Sequence, residues 1–234
     1  MSGVRGKAVV ITGASGALGE ATAQLAAEQG ARLALIERSA QRRPVPLASG
    51  TDVHLILGVN LTDEAEASAA VRSAHEQLLG LDVLINIAGA FRWQTVGDGD
   101  PAGWDQMFAV NLKTALNASR AAIPFLRQSK QGRIINVGAN AALKAGIGMG
   151  PYAASKAAVH RLTESLAEEL KKDNVTVNAV LPSIIDTPAN RADMPKADFN
   201  TWVTPRALAE VILFLASDAG QPITGALLPV TGRV

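Results

Sequence analysis

Short β-branched runs and helical stretches alternate along the whole chain, and few folds accept that alternation. Lys7–Thr12 (KAVVIT), Arg32–Ile36 (RLALI), Val53–Gly58, Asp82–Asn86 (DVLIN), Gly132–Val137 (GRIINV), Val175–Val180 and Ala226–Val230 read as strands. Between them Ala17–Gln29, Asp63–Leu79, Trp104–Leu126, Tyr152–Lys171 and Pro205–Ala216 carry helix formers, and the first of these stops at Gly30, a suitable C′ residue. Parallel strands joined by helical crossovers satisfy that order. The expected class is therefore α/β: a Rossmann-type doubly wound parallel sheet with helices on both faces. The 234 residues, 48% of them hydrophobic, suffice for one such domain over residues 1–234 with a large core.

Charge and chemistry narrow the partners. A formal net charge of +1 gives no global field toward nucleic acid or an anionic membrane. The absence of cysteine excludes disulfides, thiol catalysis and cysteine-ligated metal. The opening MSGVRGKAVVITG is too soon interrupted for a signal peptide, and no apolar run reaches the length of a membrane span. His54, His75 and His160 have no metal-ligand spacing and no evident partner, so no metal and no role is expected for them. The expectation is a cytoplasmic protein that acts on a small molecule.

Two segments lie at the expected carboxyl ends of strands, where ligands bind in this architecture: 38–50 (RSAQRRPVPLASG) and the longer irregular stretch 182–204, with three prolines. The turn Thr12–Gly19 (TGASGALG) joins the first strand to the first helix. Glycines there let the backbone approach a pyrophosphate, and the helix start supplies free N–H groups and a positive dipole end. Glu37 ends the second strand 18 residues after Gly19. A carboxylate so placed accepts from an adenosine ribose 2′-OH and repels a 2′-phosphate, which favours NADH. Arg38, Arg42 and Arg43 follow it, and an arginine able to reach a phosphate leaves NADPH possible.

Tyr152 and Lys156 are four residues apart and share one face of their helix. A phenol has a pKa of about 10, and a neighbouring ammonium is expected to lower it toward neutral pH. Phe91, Trp93 and Trp202 are candidate stacking partners for a flat acceptor.

On these residues the chain resembles the short-chain dehydrogenase/reductase family. Thr12-Gly13 and Gly19 resemble its cofactor turn. Asn86-Ile87-Ala88-Gly89 resembles its N-N-A-G segment, and Val110-Asn111-Leu112 the helix segment bearing its catalytic asparagine. Tyr152 and Lys156 resemble its catalytic pair, Pro182 to Thr187 its nicotinamide loop, and 216–225 (ASDAGQPITG) its C-terminal signature. The resemblance implies Tyr152, Lys156 and Asn111 as catalytic residues. For the cofactor it implies Gly13, Ser15, Gly16, Ala17, Leu18, Gly19, Glu37, Arg38, Asn60, Leu61, Asn86, Ala88, Gly89, Pro182, Ile185 and Thr187, together with Tyr152 and Lys156. It also implies a homodimer or homotetramer built on the helix at 152–171.

Two positions depart from the family pattern. Ala17 stands where the second cradle glycine belongs, with a glycine moved to Gly16, and Ala139 stands where the family has its catalytic serine, thirteen residues before Tyr152. Both departures resemble the dihydropteridine reductase branch, as do Gly138–Leu143 and the segment 186–202 (DTPANRADMPKADFNTW). Asn111 instead follows the wider family, since that branch typically lacks an asparagine there. The branch implies reduction of a quinonoid dihydropterin at a C=N bond, with Phe91, Ala139, Asn140 and Met194 at the substrate. Two alternatives stay open: a carbonyl or 3-oxoacyl reductase that manages without the serine, and a cofactor-binding regulatory or scaffold protein.

Overall fold

The computed structural model describes residues 3–41, 47 and 50–234. Seven parallel strands form one sheet: β1 (Ala8–Thr12), β2 (Arg32–Ile36), β3 (Val53–Ile56), β4 (Val83–Asn86), β5 (Arg133–Val137), β6 (Thr176–Pro182) and β7 (Leu227–Val230), in the order β3-β2-β1-β4-β5-β6-β7. Their residues alternate between two cores. Val9, Ile11, Leu33, Leu35, Ile85 and Val180 face the helices α1 (Ala17–Glu28) and α7 (Pro205–Ala216). Ala8, Val10, Ala34, Leu84, Ile134 and Val177 face α2 (Glu64–Leu78), α4 (Thr114–Leu126) and α5 (Gly150–Leu170). A parallel sheet covered on both faces needs apolar side chains at successive positions, which is why these strands read as mostly apolar runs rather than alternating ones. Each fully buried Val, Leu or Ile contributes about 1.5–3 kcal/mol.

The pairing register levels the strand ends. Ile36 and Asn86 both pair with Thr12, and Asn86 pairs with Asn136. The residues that follow this row (Glu37, Gly13, Ile87 and Val137) therefore come together above the sheet. The strand order turns outward in opposite directions from β1 and β4, which is the switch point where open α/β sheets place their ligands.

The helices differ from expectation in three places. Asp63 and Leu79 are caps of α2: the Asp63 carboxylate accepts from Glu66 N–H at 2.9 Å, and Leu79 takes the left-handed conformation at φ 52°. The expected helix Trp104–Leu126 is a composite of α3 (Ala102–Met107), a π-helical turn over Phe108–Lys113 and α4. The stretch 182–204 is not wholly irregular, because α6 (Pro188–Asp193) forms within it. Thr187 caps α6 by accepting from Asn190 N–H at 3.2 Å, and Pro188 needs no partner in the first turn.

Candidate active site

The turn between β1 and α1 is held by its own packing. Gly13 has φ +71°, and a Cβ there would lie 2.9 Å from the Ala88 Cα; one on Gly19 would lie 2.2 Å from the Gly13 carbonyl oxygen. Gly16 is different: a Cβ there would meet nothing closer than 3.6 Å. Gly16 caps α1 without a side-chain hydrogen bond, so the first N–H groups of the helix are left for a ligand. A cleft of about 410 Å³ opens there, lined by Gly13, Ser15, Gly16, Ala17, Leu18 and Gly19 on one side and by Ile87, Ala88 and Gly89 on the other. Val137, Ile185 and Thr187 complete it. The Thr12 hydroxyl oxygen accepts from Ile87 N–H at 3.1 Å and Ala88 N–H at 3.2 Å, which locks the two sides together. The free helix start and the open side of Gly16 fit the pyrophosphate of a dinucleotide.

Glu37 stands at the edge of this cleft. Its carboxylate accepts from the Ser15 hydroxyl at 2.8 Å and from the Ser15 backbone N–H. Arg38 beside it is exposed, and Arg42 and Arg43 lie outside the described residues.

A second cavity, of about 780 Å³, shares Val137 and Ile185 with the first. Its floor is Val137–Ala141, its rear Tyr152 and Lys156, and its remaining sides Phe91, Trp93, Met149, Pro182–Ile185, Asn190, Asp193 and Met194. All four residues expected at the substrate (Phe91, Ala139, Asn140 and Met194) are brought together here. Phe91 meets the Tyr152 ring edge-on, with 5.0 Å between centroids and 81° between planes. Two hydroxyls line this cavity, and Ser183 donates its own to the Thr231 carbonyl at 2.7 Å. That leaves the Tyr152 phenol as the free hydroxyl donor among the described lining residues.

Electrostatics at the pair overturn one expectation. Lys156 donates from Nζ to the Val137 carbonyl at 2.7 Å, not to the phenol. Burial lowers the Lys156 pKa to about 8 and raises the Tyr152 pKa to about 12. Both charged forms are desolvated, and that outweighs any stabilisation of a phenolate by the ammonium in this state. Tyr152 is accordingly a neutral acid, able to give a proton.

Asn111 sits in the π-helical turn and is 1% exposed. Its side-chain oxygen accepts from Ala90 N–H at 2.9 Å, and its amide donates to the Ala90 carbonyl and to Ser155 Oγ, each at 3.0 Å. Ser155 in turn donates to the Tyr152 carbonyl at 2.8 Å. A Cβ on Gly89 would fall 2.6 Å from Asn111 Oδ1 and 3.5 Å from Lys156 Nζ, so these three residues meet at one point.

Four expected contacts lie elsewhere. Asn86 turns its amide into the sheet, donating to Ser119 Oγ at 3.0 Å and Asn136 Oδ1 at 2.9 Å, and lines neither cavity. Asn60 shapes the turn into α2, its Oδ1 accepting from the Thr62 hydroxyl at 2.8 Å, and Leu61 is buried in the core beneath that helix. Neither reaches the cleft. Trp202 is buried against Phe199, with 4.8 Å between centroids, and is absent from the acceptor cavity.

Conversely, His160 has a place that its lone occurrence concealed. It lies one turn beyond Lys156 on α5, with Nε2 accepting from Ala139 N–H at 3.4 Å. A Cβ on Gly138 would come 2.5 Å from that nitrogen, so glycine is required there. Burial, followed by the charges of Arg161 and Lys156, lowers the His160 pKa to about 4, which keeps the ring neutral and the acceptor nitrogen free. The signal was the four-residue spacing Tyr152, Lys156, His160.

Residues 7–198 match the short chain dehydrogenase family profile. The chain belongs to the short-chain dehydrogenase/reductase family. It is similar to 2-(S)-hydroxypropyl-CoM dehydrogenase 3 of Xanthobacter autotrophicus, 31% identical over 98% of this chain and 96% of the relative. The 3-oxoacyl-[acyl-carrier-protein] reductase FabG of Vibrio cholerae is 32% identical over 98% of this chain and 97% of its own length. Among solved structures, a dehydrogenase/reductase from Sinorhizobium meliloti superposes with a TM-score of 0.89 at 31% identity, covering 99% of this chain and 96% of that one. The 3-ketoacyl-(acyl-carrier-protein) reductase of Brucella melitensis, solved with NADH, has a TM-score of 0.87 at 28% identity, covering 98% and 99%. This short-chain dehydrogenase/reductase is thus an NAD(P)-dependent oxidoreductase, and among its described residues no helix is long and apolar enough to cross a membrane.

Proposed function

We propose that the chain is an NADH-preferring reductase of a small planar acceptor with a C=N bond, of the quinonoid dihydropterin kind, with Tyr152 as the proton donor. One observation carries this reading: among the described residues, the acceptor cavity offers a single free hydroxyl. Ser183 is engaged with Thr231, and the floor position where the family has a serine is Ala139. Ketone reduction builds negative charge on oxygen, and a missing oxyanion donor costs about 10²–10³ in rate. Reduction of C=N places a proton on nitrogen, so one donor suffices. The loop whose sequence resembles the dihydropteridine reductase branch supplies Asn190, Asp193 and Met194 to the same cavity.

The cofactor supplies the hydride when it is bound in the neighbouring cleft. The protein's own groups do the rest. The N–H groups at the start of α1 would hold the pyrophosphate, and the Glu37 carboxylate would accept from the ribose 2′-OH. Lys156, which holds the Val137 carbonyl in this structure, would hold the nicotinamide ribose beside the phenol. Tyr152 gives its proton to the acceptor nitrogen while Phe91 and Ala139 bound the flat ring. Asn111 and Ser155 fix the start of α5, and so the direction of the phenol.

A carbonyl or 3-oxoacyl reductase is the second reading, favoured by the identity to the FabG relatives. The assembly expected from the family is a homodimer or homotetramer. An NADH-oxidation screen separates the two functions: quinonoid dihydropterin is the expected acceptor, and turnover confined to ketones or 3-oxoacyl thioesters overturns the proposal.

A further inference from the structure

The wall that α6 contributes to the acceptor cavity carries hydrogen-bond acceptors at Asn190 and Asp193. Asn190 donates one N–H of its side-chain amide to the Ile185 carbonyl at 2.7 Å, and its side-chain oxygen has no partner among the described residues. Asp193, the last residue of α6, lines the cavity with no ion pair among the described residues. The nearest cation in sequence is not available to it. Arg191 is bound in both arms by Asp186, at 2.6 and 2.8 Å, and lies over the Phe199 ring at 4.7 Å. Lys156, the other charged group of the cavity, is buried at its rear on the Val137 carbonyl. The cavity therefore combines a proton donor at the rear, apolar surfaces at Phe91, Ala139 and Met194, and an unpaired carboxylate on one side.

We propose that Asp193 is a specificity-determining residue, whose carboxylate accepts from the N–H edge of a flat, nitrogen-rich acceptor. An amino-pyrimidinone ring presents an exocyclic amine beside a ring nitrogen, a pair of donors that matches a carboxylate. A ligand of the same shape with a carbonyl in place of the amine sets oxygen against oxygen and is disfavoured. This proposal rests on the reading of the 780 Å³ cavity as the acceptor site. Asp193 is exposed at the end of a short helix, so its replacement leaves the core untouched.

Two stable probes of the same outline test it without turnover: 6,7-dimethylpterin, with the amine, and 6,7-dimethyllumazine, with a carbonyl in its place. Their dissociation constants are measured on the full chain saturated with NAD⁺, for wild type, Asp193→Asn and Asp193→Ala. Wild type is expected to favour the pterin about tenfold, equivalent to about 1.4 kcal/mol. Asp193→Ala should bring that ratio near one through weaker pterin binding, and Asp193→Asn, which keeps one acceptor oxygen, should fall between. A ratio that Asp193→Ala leaves unchanged, or a wild type that binds neither probe, overturns the proposal. If the wild type keeps the ratio yet fails to reduce quinonoid dihydropterin, the proposed function fails and the role of Asp193 stands.

Discussion

At the scale of the residue, burial sets the proton chemistry. Tyr152 is held neutral with its pKa pushed up to about 12, so Tyr152→Phe removes the acid and keeps the ring against Phe91. Turnover should fall by about 10²–10⁴ while NADH still binds, as a fluorescence titration would record. Turnover near that of wild type would mean that water supplies the proton. His160 gives a pH signature of its own. Its pKa is about 4 in the fold against 6.5 for the free side chain. Between those values the unfolded chain binds a proton that the folded chain refuses. Stability should therefore fall as pH drops through that window, by on the order of 3 kcal/mol once both states are protonated. His160→Gln should flatten that slope of melting temperature against pH, and an equal slope in the variant would assign it to other groups. On the proposed reading Glu37 carries the cofactor preference. Glu37→Ala should relax discrimination against NADPH, and a wild-type kcat/KM higher with NADPH than with NADH would shift recognition to the loop arginines.

At the scale of the element, α5 and the end of β5 act as one unit. Lys156 holds the Val137 carbonyl and His160 holds the Ala139 N–H, so one helical face grips the cavity floor at two points. Gly138→Ala would drive a methyl into the His160 ring and should destabilise by about 1–3 kcal/mol, read from a denaturant midpoint. Ala139→Ser adds a donor to the same floor. It should improve ketone reduction relative to pterin reduction, about tenfold for a gain of about 1.4 kcal/mol. A fall in ketone turnover relative to pterin would put the new hydroxyl out of reach of the oxyanion. The pairing of Tyr152 with Lys156 was legible because a helix fixes which residues share a face. The π-helical turn that sets Asn111 between Ala90 and Ser155 was not, since one extra residue per turn leaves no mark on the apolar period. Asn86 directly precedes the cleft residues Ile87–Gly89 in sequence, but which way a side chain turns depends on partners distant in the chain. For Asn86 those are Ser119 and Asn136.

At the scale of the whole molecule, the unbroken apolar strands foretold a sheet covered on both faces, and the strand–helix alternation foretold its parallel direction. Strand register was not legible. It levels Ile36, Thr12, Asn86 and Asn136, and so sets the cofactor cleft beside the acceptor cavity, with Val137 and Ile185 common to both. That adjacency would let a hydride donor in one space meet an acceptor in the other, and on the proposed reading the single free hydroxyl among the described lining residues selects the acceptor. The most direct test is the ratio of kcat/KM for quinonoid dihydropterin to that for a simple ketone, measured with wild type and NADH at one pH. A site with Tyr152 as its lone hydroxyl donor should favour the dihydropterin by at least about tenfold, a difference of about 1.4 kcal/mol in transition-state binding. Efficient ketone reduction with no dihydropterin turnover would contradict it.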